Sequence, residues 1–408
     1  MKYVIICLDG MSDHPIESLG GKTPIQVAAT PNLDRLAKRG VVGRMQNTPP
    51  GFKAGSDVCN LSLLGYDCSG FYSGRAPYEA ASMGIVQEKY QVVFRCNLVN
   101  VDNEKMVDFS AGHIDSEIAA KLIETLDEEL GTEGLRFYPG IGYRHILSID
   151  TRKFSYDFPK LNCTPPHDIM GQSIAKYLPE GEGQTLIRDL MESSQDILNK
   201  HAANEGREFS ANMIWLWGQG VKPTVDSFYD KFSLKGSVIS AVDLVKGIGH
   251  LVNLEVLNVP GITGYYDTDY AAKSRYAVES LKEKDFVFVH IEATDEAGHN
   301  GDAEEKIRAI ENADAKVIGP IMQALQNKDH RILVAPDHAT PVDLRTHTEE
   351  YVPFVMAGTG LESDGSRLYD ETVLSDNSAP SYDRGCDLIS SFLSPRKGGG
   401  RESSISRS

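Results

Sequence analysis

An α/β fold interrupted by a second, inserted domain is what this chain of 408 residues predicts. Three observations carry that expectation. The chain opens on an apolar strand, a polar turn and a helix-like segment; the same alternation returns after about residue 220; and between the two the texture changes to partly alternating strands broken by proline and glycine. At about 150 residues per domain, the length leaves room for two or three domains.

Taken in order, "YVIICL" reads as a buried strand that runs into the polar turn "DGMSD", and "TPNLDRLAKRG" as a helix stopped by Gly40. "VVGRMQ" is a short strand. The Pro- and Gly-rich loop in "TPPGFKAGSDVCNLSLLGYD" opens another helix near Ser56. From about Pro77 to Gly220, strands "YQVVFRCNLVN" and "YRHILSID" stand beside helices such as "SEIAAKLIETLDEEL", with breaks at "PKLNCTPPHD" and "PEGEGQ". The alternation then resumes with strand "GSVIS", helices "AVDLVKGIG" and "DYAAKSRYAVESLK", strand "DFVFVHIE", helix "EEKIRAIENADAKVIGPIMQAL", and strands "RILVAP" and "VPFVMAG". The expected division is a discontinuous core, 1–76 and 221–394, around an inserted domain, 77–220. The Gly-, Ser- and Arg-rich stretch 395–408 cannot bury a core and is expected to be disordered.

Composition narrows the function. A formal net charge of −17 argues against nucleic acid or anionic membrane as the main partner, since both need a basic footprint. A small anionic substrate has to be drawn in by a local basic patch or a metal. No apolar run approaches the roughly 18 residues that span a bilayer, and "MKYVIICLDG" turns acidic too soon for a signal peptide. Six scattered cysteines without a CxxC pair indicate neither a disulfide framework nor a thiolate zinc site, so a cytoplasmic location is expected.

Polar clusters recur where an α/β unit places the carboxyl ends of its strands, the usual ligand-binding edge. They are Asp9 after "VIICL", Asp295 and His299 after "FVFVHIE", Asp337 and His338 after "RILVAP", and His347 in "LRTHTEEYVPF". Carboxylates and imidazoles in this mixture suit divalent cations such as manganese, magnesium or zinc, and three Asp with three His could complete two neighbouring sites. Two such cations clamp the attacking and leaving oxygens of a phosphoryl displacement. Ser56 in "KAGSDVCN" offers a hydroxyl at a helix N-terminus, an anion-accepting position, and needs a base or a metal to become nucleophilic. Each feature alone has a plainer explanation: Asp9 as a turn cap, Asp295 and His299 as a surface pair, Ser56 as an N-cap. Capping does not explain the recurrence of Asp and His after successive strands.

"LDGMSD", "TPNLDRLAKRG", "GSDVCNLSLLGYD", "DEAGH", "PDHAT" and "THTEEYVPF" together resemble the archaeal-type cofactor-independent phosphoglycerate mutases of the alkaline phosphatase superfamily, over nearly the whole chain to about Leu393. The resemblance implies an alkaline-phosphatase-like core, a mixed, mostly parallel sheet between helices, with an inserted α+β lid domain that closes over the substrate. It implies two divalent metals, manganese first and magnesium, zinc or cobalt as alternatives, and no 2,3-bisphosphoglycerate. Ser56 is then the nucleophile and shares one metal with Asp9, Asp337 and His338; Asp295, His299 and His347 hold the other. The implied reaction passes the phosphoryl group of 3-phosphoglycerate to Ser56 and returns it to the 2-hydroxyl.

Candidates for holding phosphate and carboxylate are Arg95, Arg144, His145, His167 and Asp168 in the insert, with Lys235 at its return. Two features depart from the family's best-known pattern: "PDHAT" stands where many relatives carry a glycine after the histidine, and "ANMIWLWGQG" and "TPPHDIMGQ" resemble a bacterial subgroup for which transfer to homoserine has been suggested. Phosphoryl transfer to homoserine, phosphomonoester hydrolysis and a non-catalytic binding protein are therefore the alternatives.

Overall fold

The computed structural model describes residues 1–154, 156–366 and 368–394, so the stretch 395–408 expected to be disordered lies outside the described residues. β1 (Lys2–Leu8), α1 (Pro24–Val27), α2 (Pro31–Arg39), β2 (Val41–Met45) and α3 (Ser56–Leu63) come first along the chain. Next are α4 (Ala76–Ser82), β3 (Gln91–Asp102), β4 (Lys105–Asp108), α5 (Ser116–Leu130), β5 (Leu135–Ile141), β6 (Arg144–Asp150), α6 (Gln184–Leu198) and β7 (Met213–Val221). The return carries α7 (Phe228–Phe232), β8 (Gly236–Ile239), α8 (Asp243–Leu251), β9 (Glu255–Val256), α9 (Tyr270–Ser280), β10 (Phe286–Ile291), α10 (Ala293–Asn300), α11 (Ala303–Ala313) and α12 (Gly319–Leu325). β11 (His330–Ala335), β12 (Val352–Gly358), β13 (Ser381–Tyr382) and α13 (Leu388–Leu393) complete it.

The chain divides into two units, one of residues 1–70 and 226–408, the other of residues 71–225. In the first unit an eight-stranded sheet runs in the order β13-β2-β12-β11-β1-β10-β8-β9. β1 is buried from Val4 to Leu8 because it lies between two parallel neighbours, β10 and β11, with helices on both faces. β8 and β9 continue in parallel on one side, while β12 joins β11 antiparallel, making the sheet mixed. The carboxyl ends of β1, β10 and β11 therefore open at one edge, and the polar segments Asp9–Gly10, Glu292–Asp295 and Asp337–His338 follow directly. The core below them is Val4, Ile6 and Leu8 with Val287, Val289, Ile332 and Val334, packed against helix residues such as Ile310, Ile318 and Ile321.

The second unit is an antiparallel sheet in which β3 pairs with β4, β6 and β7, and β6 with β5. α5 and α6 lay Leu122, Ile123, Leu126, Ile187 and Met191 on it, giving this unit its own hydrophobic core. Strand β7 and helix α6 are absent from the sequence analysis; in α6, Ile187, Leu190, Met191, Ser194 and Leu198 recur at helical spacing, which is the signal for it.

Candidate metal centre

Asp9 leaves the end of β1 and turns at Gly10, whose φ of +59 lies in the left-handed region. A Cβ at Gly10 would stand 2.4 Å from Asp295 Oδ1 and 2.4 Å from Thr340 Oγ1, so glycine is what lets the first strand's loop approach the other two polar segments. Asp337, two residues beyond β11, accepts Gly10 N–H (3.2 Å) and His338 N–H (2.9 Å) at Oδ1 and Asn60 Nδ2 (2.9 Å) at Oδ2. His338 Nε2 lies 3.5 Å from both Asp9 Oδ1 and Asp337 Oδ2. Ser56, the first residue of α3, places Oγ 3.4 Å from Asp9 Oδ2 and 3.5 Å from His338 Nε2.

Asp295 and His299 sit four residues apart on one face of α10, so the abrupt polar turn after β10 is a helix rather than a loop. His299 Nε2 is 3.2 Å from Asp295 Oδ2 and 2.9 Å from His347 Nε2. Both imidazoles are tied at Nδ1 to a backbone carbonyl, His299 to Arg345 O (3.0 Å) and His347 to Ala54 O (3.2 Å). A carbonyl only accepts, so each Nδ1 carries a hydrogen; burial works against charge on His299, but Asp295 outweighs it and lifts the imidazole to about 9, so its Nε2 also carries a proton, between Asp295 and His347 Nε2. A proton held among two imidazoles and a carboxylate occupies the place that a cation bound by all three would take.

The first group fits a cation for a different reason. Asp9 Oδ1 is buried and has no hydrogen-bond partner among the described residues. Burial, then the nearby Asp337 and Asp295 carboxylates, push the Asp9 carboxyl well up from the usual range. Burial pulls the His338 imidazole down to about 4, keeping it neutral and able to donate a lone pair. Ligand atoms of Asp9, Asp337 and His338 lie within 4.8 Å of one another, as do those of Asp295, His338 and His347. Oxygen and imidazole donors in this number suit divalent cations, and such metal ions are what this fold and donor set imply.

In the 71–225 unit, Arg95 lies flat on the Trp217 ring (4.1 Å) with Nε 2.9 Å from Glu79. His167 meets the same Trp217 ring edge-on (5.5 Å) and stands 3.4 Å from Asp168. Burial lowers the Arg95 guanidinium, Glu79 opposes that, and the positive charges of Arg75 and Arg144 add to the crowding. Arg75, absent from the sequence analysis, thus joins Arg95 and Arg144 in a cationic patch, and burial holds the neighbouring His167 imidazole down beside it. His145 does not belong to it. It is 1% exposed, its Nδ1 accepts Gly140 N–H (2.9 Å), and burial holds it down at about 3, so it is a neutral core histidine.

Lys235 is a second correction. Gly236 pairs with Phe286 at the amino end of parallel strands, whereas the Asp and His cluster follows the carboxyl ends. Seven residues of strand rise, from Asp285 to Glu292, separate the two levels by roughly 20 Å. Lys235 instead lines a surface recess with Tyr229, Glu255 and Lys284.

Sequence reasoning also missed the residues that hold the ligands. Asn47 donates from Nδ2 to Asp337 O (2.6 Å) and Cys59 O (2.9 Å), locking α3 to the loop after β11. Lys306 and Asp13, both fully buried, pair at 2.7 Å, and the lysine also donates to Thr340 O (2.8 Å). A lone Asn or a helical Lys carries no local signal of such a role. Ala339, the residue after the histidine in "PDHAT", is buried and bridges to Met11, Ser12 and Thr348.

A serine hydroxyl at the margin of a buried oxygen-and-nitrogen cluster, on the carboxyl edge of a mixed sheet, defines a metal-dependent α/β enzyme. The model of the 2,3-bisphosphoglycerate-independent phosphoglycerate mutases matches residues 37–204. Identity is 49% over 388 residues, 94% of this chain and 95% of the relative, to 2,3-bisphosphoglycerate-independent phosphoglycerate mutase 2 of Methanothermobacter thermautotrophicus. It is 48% to the mutase of Methanosarcina mazei, covering 91% and 94%. The chain belongs to the 2,3-bisphosphoglycerate-independent phosphoglycerate mutase family. Among solved structures, a Pyrococcus horikoshii protein aligns with a TM-score of 0.81 at 29% identity over 96% of both chains. The cofactor-independent phosphoglycerate mutase of Thermoplasma acidophilum aligns with a TM-score of 0.66 at 26% identity, over 96% of this chain and 99% of that one.

Proposed function

We propose that this chain interconverts 3-phosphoglycerate and 2-phosphoglycerate through a phosphoserine at Ser56, without 2,3-bisphosphoglycerate. The observation that carries the reading is Ser56 Oγ within 3.5 Å of both Asp9 and His338, at the margin of a cluster with unmet demand for cations. Asp9, Ser56, Asp337 and His338 would hold one divalent ion and Asp295, His299 and His347 a second, with manganese the metal proposed. Bound there, the ions supply positive charge to the phosphoryl oxygens and make a serine hydroxyl nucleophilic at neutral pH.

Ser56 Oγ attacks phosphorus, the bond to the C3 oxygen breaks, and the serine proton ends on the freed 3-hydroxyl. The 2-hydroxyl oxygen then attacks the phosphoserine phosphorus, the bond to Ser56 Oγ breaks, and the 2-hydroxyl proton ends on the serine. Arg95 and Arg144 with Arg75, beside His167, form the patch that suits the substrate's carboxylate or phosphate against a chain of net charge −17. Asp168, beside His167, serves as an orienting acceptor. Six free cysteines fit a reducing cytoplasm, and among the described residues no helix is long and apolar enough to cross a membrane.

The test is a coupled assay for 2-phosphoglycerate, run with chelation, manganese restoration and Ser56→Ala. Turnover is expected to need metal, to ignore added bisphosphate, and to fall by at least about a thousandfold in Ser56→Ala with the fold intact. Residual activity within tenfold of wild type would overturn the covalent route. Phosphorylation of homoserine, or phosphate release, without 2-phosphoglycerate would keep the centre and change the acceptor.

A further inference from the structure

β10 is buried on both faces, and such a strand is expected to read as an apolar run. "FVFVHI" breaks that rule at His290, and a second ionisable residue, Glu292, follows directly on its end. His290 pairs in register with Cys7 of β1, two residues before Asp9. Its Nε2 stands 3.2 Å from Asp9 Oδ2, and its Nδ1 stands 3.1 Å from Glu292 Oε1. Glu292 is itself held on both oxygens. Oε1 accepts Ser240 Oγ–H (2.9 Å) and Ala241 N–H (3.0 Å), and Oε2 accepts Lys273 Nζ (2.6 Å), which donates also to His290 O (2.6 Å). Lys273, His290, Glu292 and Asp9 are each 3% exposed or less.

Four buried ionisable side chains in a row are costly for stability alone: apolar residues of the same volume would serve a fold as well or better. The row ends on Asp9. The imidazole stands between two carboxylates, its Nδ1 in hydrogen-bond contact with Glu292 and its Nε2 beside Asp9 Oδ2 but outside hydrogen-bond geometry, so it packs against one oxygen of Asp9 and limits how that carboxyl group can turn. The oxygen left over, Oδ1, is the buried atom without a partner.

We propose that Glu292, braced by Lys273 and acting through His290, is a positioning residue that orients Asp9 and reserves its Oδ1 for a cation. This rests on the reading of Asp9 as a cation ligand. A carboxylate behind a histidine is the familiar support of a metal-bound imidazole; here the imidazole intervenes between two carboxylates and supports a ligand one step further in.

The experiment is a manganese titration of the metal-free full chain, followed by calorimetry and by electron paramagnetic resonance, for wild type, Asp9→Ala, Glu292→Gln and Ser240→Ala. Wild type is expected to bind two ions, with a coupled two-ion spectrum at saturation. Glu292→Gln is expected to weaken one site by about 10- to 100-fold and leave the other within about twofold, so that the single-ion spectrum persists at metal levels that couple the wild type. Ser240→Ala, which removes one hydrogen bond to Glu292 and leaves the buried charges in place, is expected to weaken the same site roughly three- to tenfold.

Wild-type affinities in both variants, or equal loss at both sites together with a lowered melting temperature, would reduce the row to a structural ion pair and overturn the proposal. Should Glu292→Gln not fold, Ser240→Ala alone decides by the same criterion. Three ions bound by wild type would overturn it too, making His290 a ligand with Cys7 and Asp337, whose ligand atoms lie within 4.8 Å. Two unperturbed sites in Asp9→Ala would instead sink the assignment of Asp9 itself.

Discussion

Asp295 and Glu371 are both half-buried carboxyl groups in the same unit, yet their surroundings push them in opposite directions. Burial raises Asp295, but contacts from His299 and His347 outweigh it and hold the carboxyl well below its ordinary range. Asp295→Ala strands two imidazoles without their shared anion, so metal content should fall by about one ion per chain along with the rate, as read by elemental analysis after manganese loading. Unchanged stoichiometry would reassign Asp295 to a structural role. Glu371 accepts Asp13 N–H (3.1 Å) and Thr23 Oγ–H (2.6 Å), but burial wins and lifts it to about 7. The folded chain then holds a proton that the unfolded chain has released above about pH 4.5. Its stabilising share is complete below that pH and is lost as pH rises toward 7. Glu371→Gln imitates the protonated group, so the variant should gain on wild type between pH 5 and 7.5, by at most about 3 kcal/mol in urea unfolding. A difference that stays level with pH would refute the raised value.

Helices bring these residues into place, and two of them are secured in ways a local reading does not anticipate. α10 approaches the loop after β11 so closely that a Cβ on Gly298 would stand 2.3 Å from Thr340 O. α2 begins at "TPN", yet the Thr30 side chain makes no cap. Asp314, in the π-helical turn Asp314–Ile318 between α11 and α12, accepts Asn32 N–H (3.1 Å) and Leu33 N–H (2.8 Å) in its stead. The cap comes from a segment 281 residues away in sequence. Asp314→Ala should cost about 2 kcal/mol, a capping loss compounded by buried donors left unpaired, measured as a shift in denaturant midpoint at constant slope. A cost under about 0.5 kcal/mol would mean that water replaces the carboxylate. The boundaries of α2, α3, α5 and β1 were legible because apolar period and start or stop residues agree there. α10 was not, since "ATDEAGHN" has too few apolar residues to show a period.

Each unit carries its own sheet and core, and both tryptophans, Trp215 and Trp217, lie in β7 of the 71–225 unit. Tryptophan fluorescence therefore reports that unit alone. Leu122→Ala, a fully buried truncation on α5, should lower its fluorescence-detected stability by about 2 to 5 kcal/mol. Amide-exchange protection of β1 and β10 should stay as in wild type, as expected where each unit has its own core. A parallel loss of protection in both strands would show that the units unfold as one.

Read by itself, the sequence determined the class of the fold, the places where helix and strand alternate, and which Asp, His and Ser follow strands and helix starts closely enough to gather in one cluster. Those are local properties: apolar period, glycine and proline punctuation, and ionisable residues directly after buried strands. It left undecided everything that depends on which strands become neighbours. Only the sheet order brings Asp9, Asp295 and Asp337 to one edge, sends Lys235 to the other, buries His145, and threads Lys273, Glu292 and His290 behind Asp9. A charged side chain looks the same in sequence whether it faces solvent, substrate or another charge. Burial and pairing across hundreds of residues assign it one role, and those are properties of the packed chain.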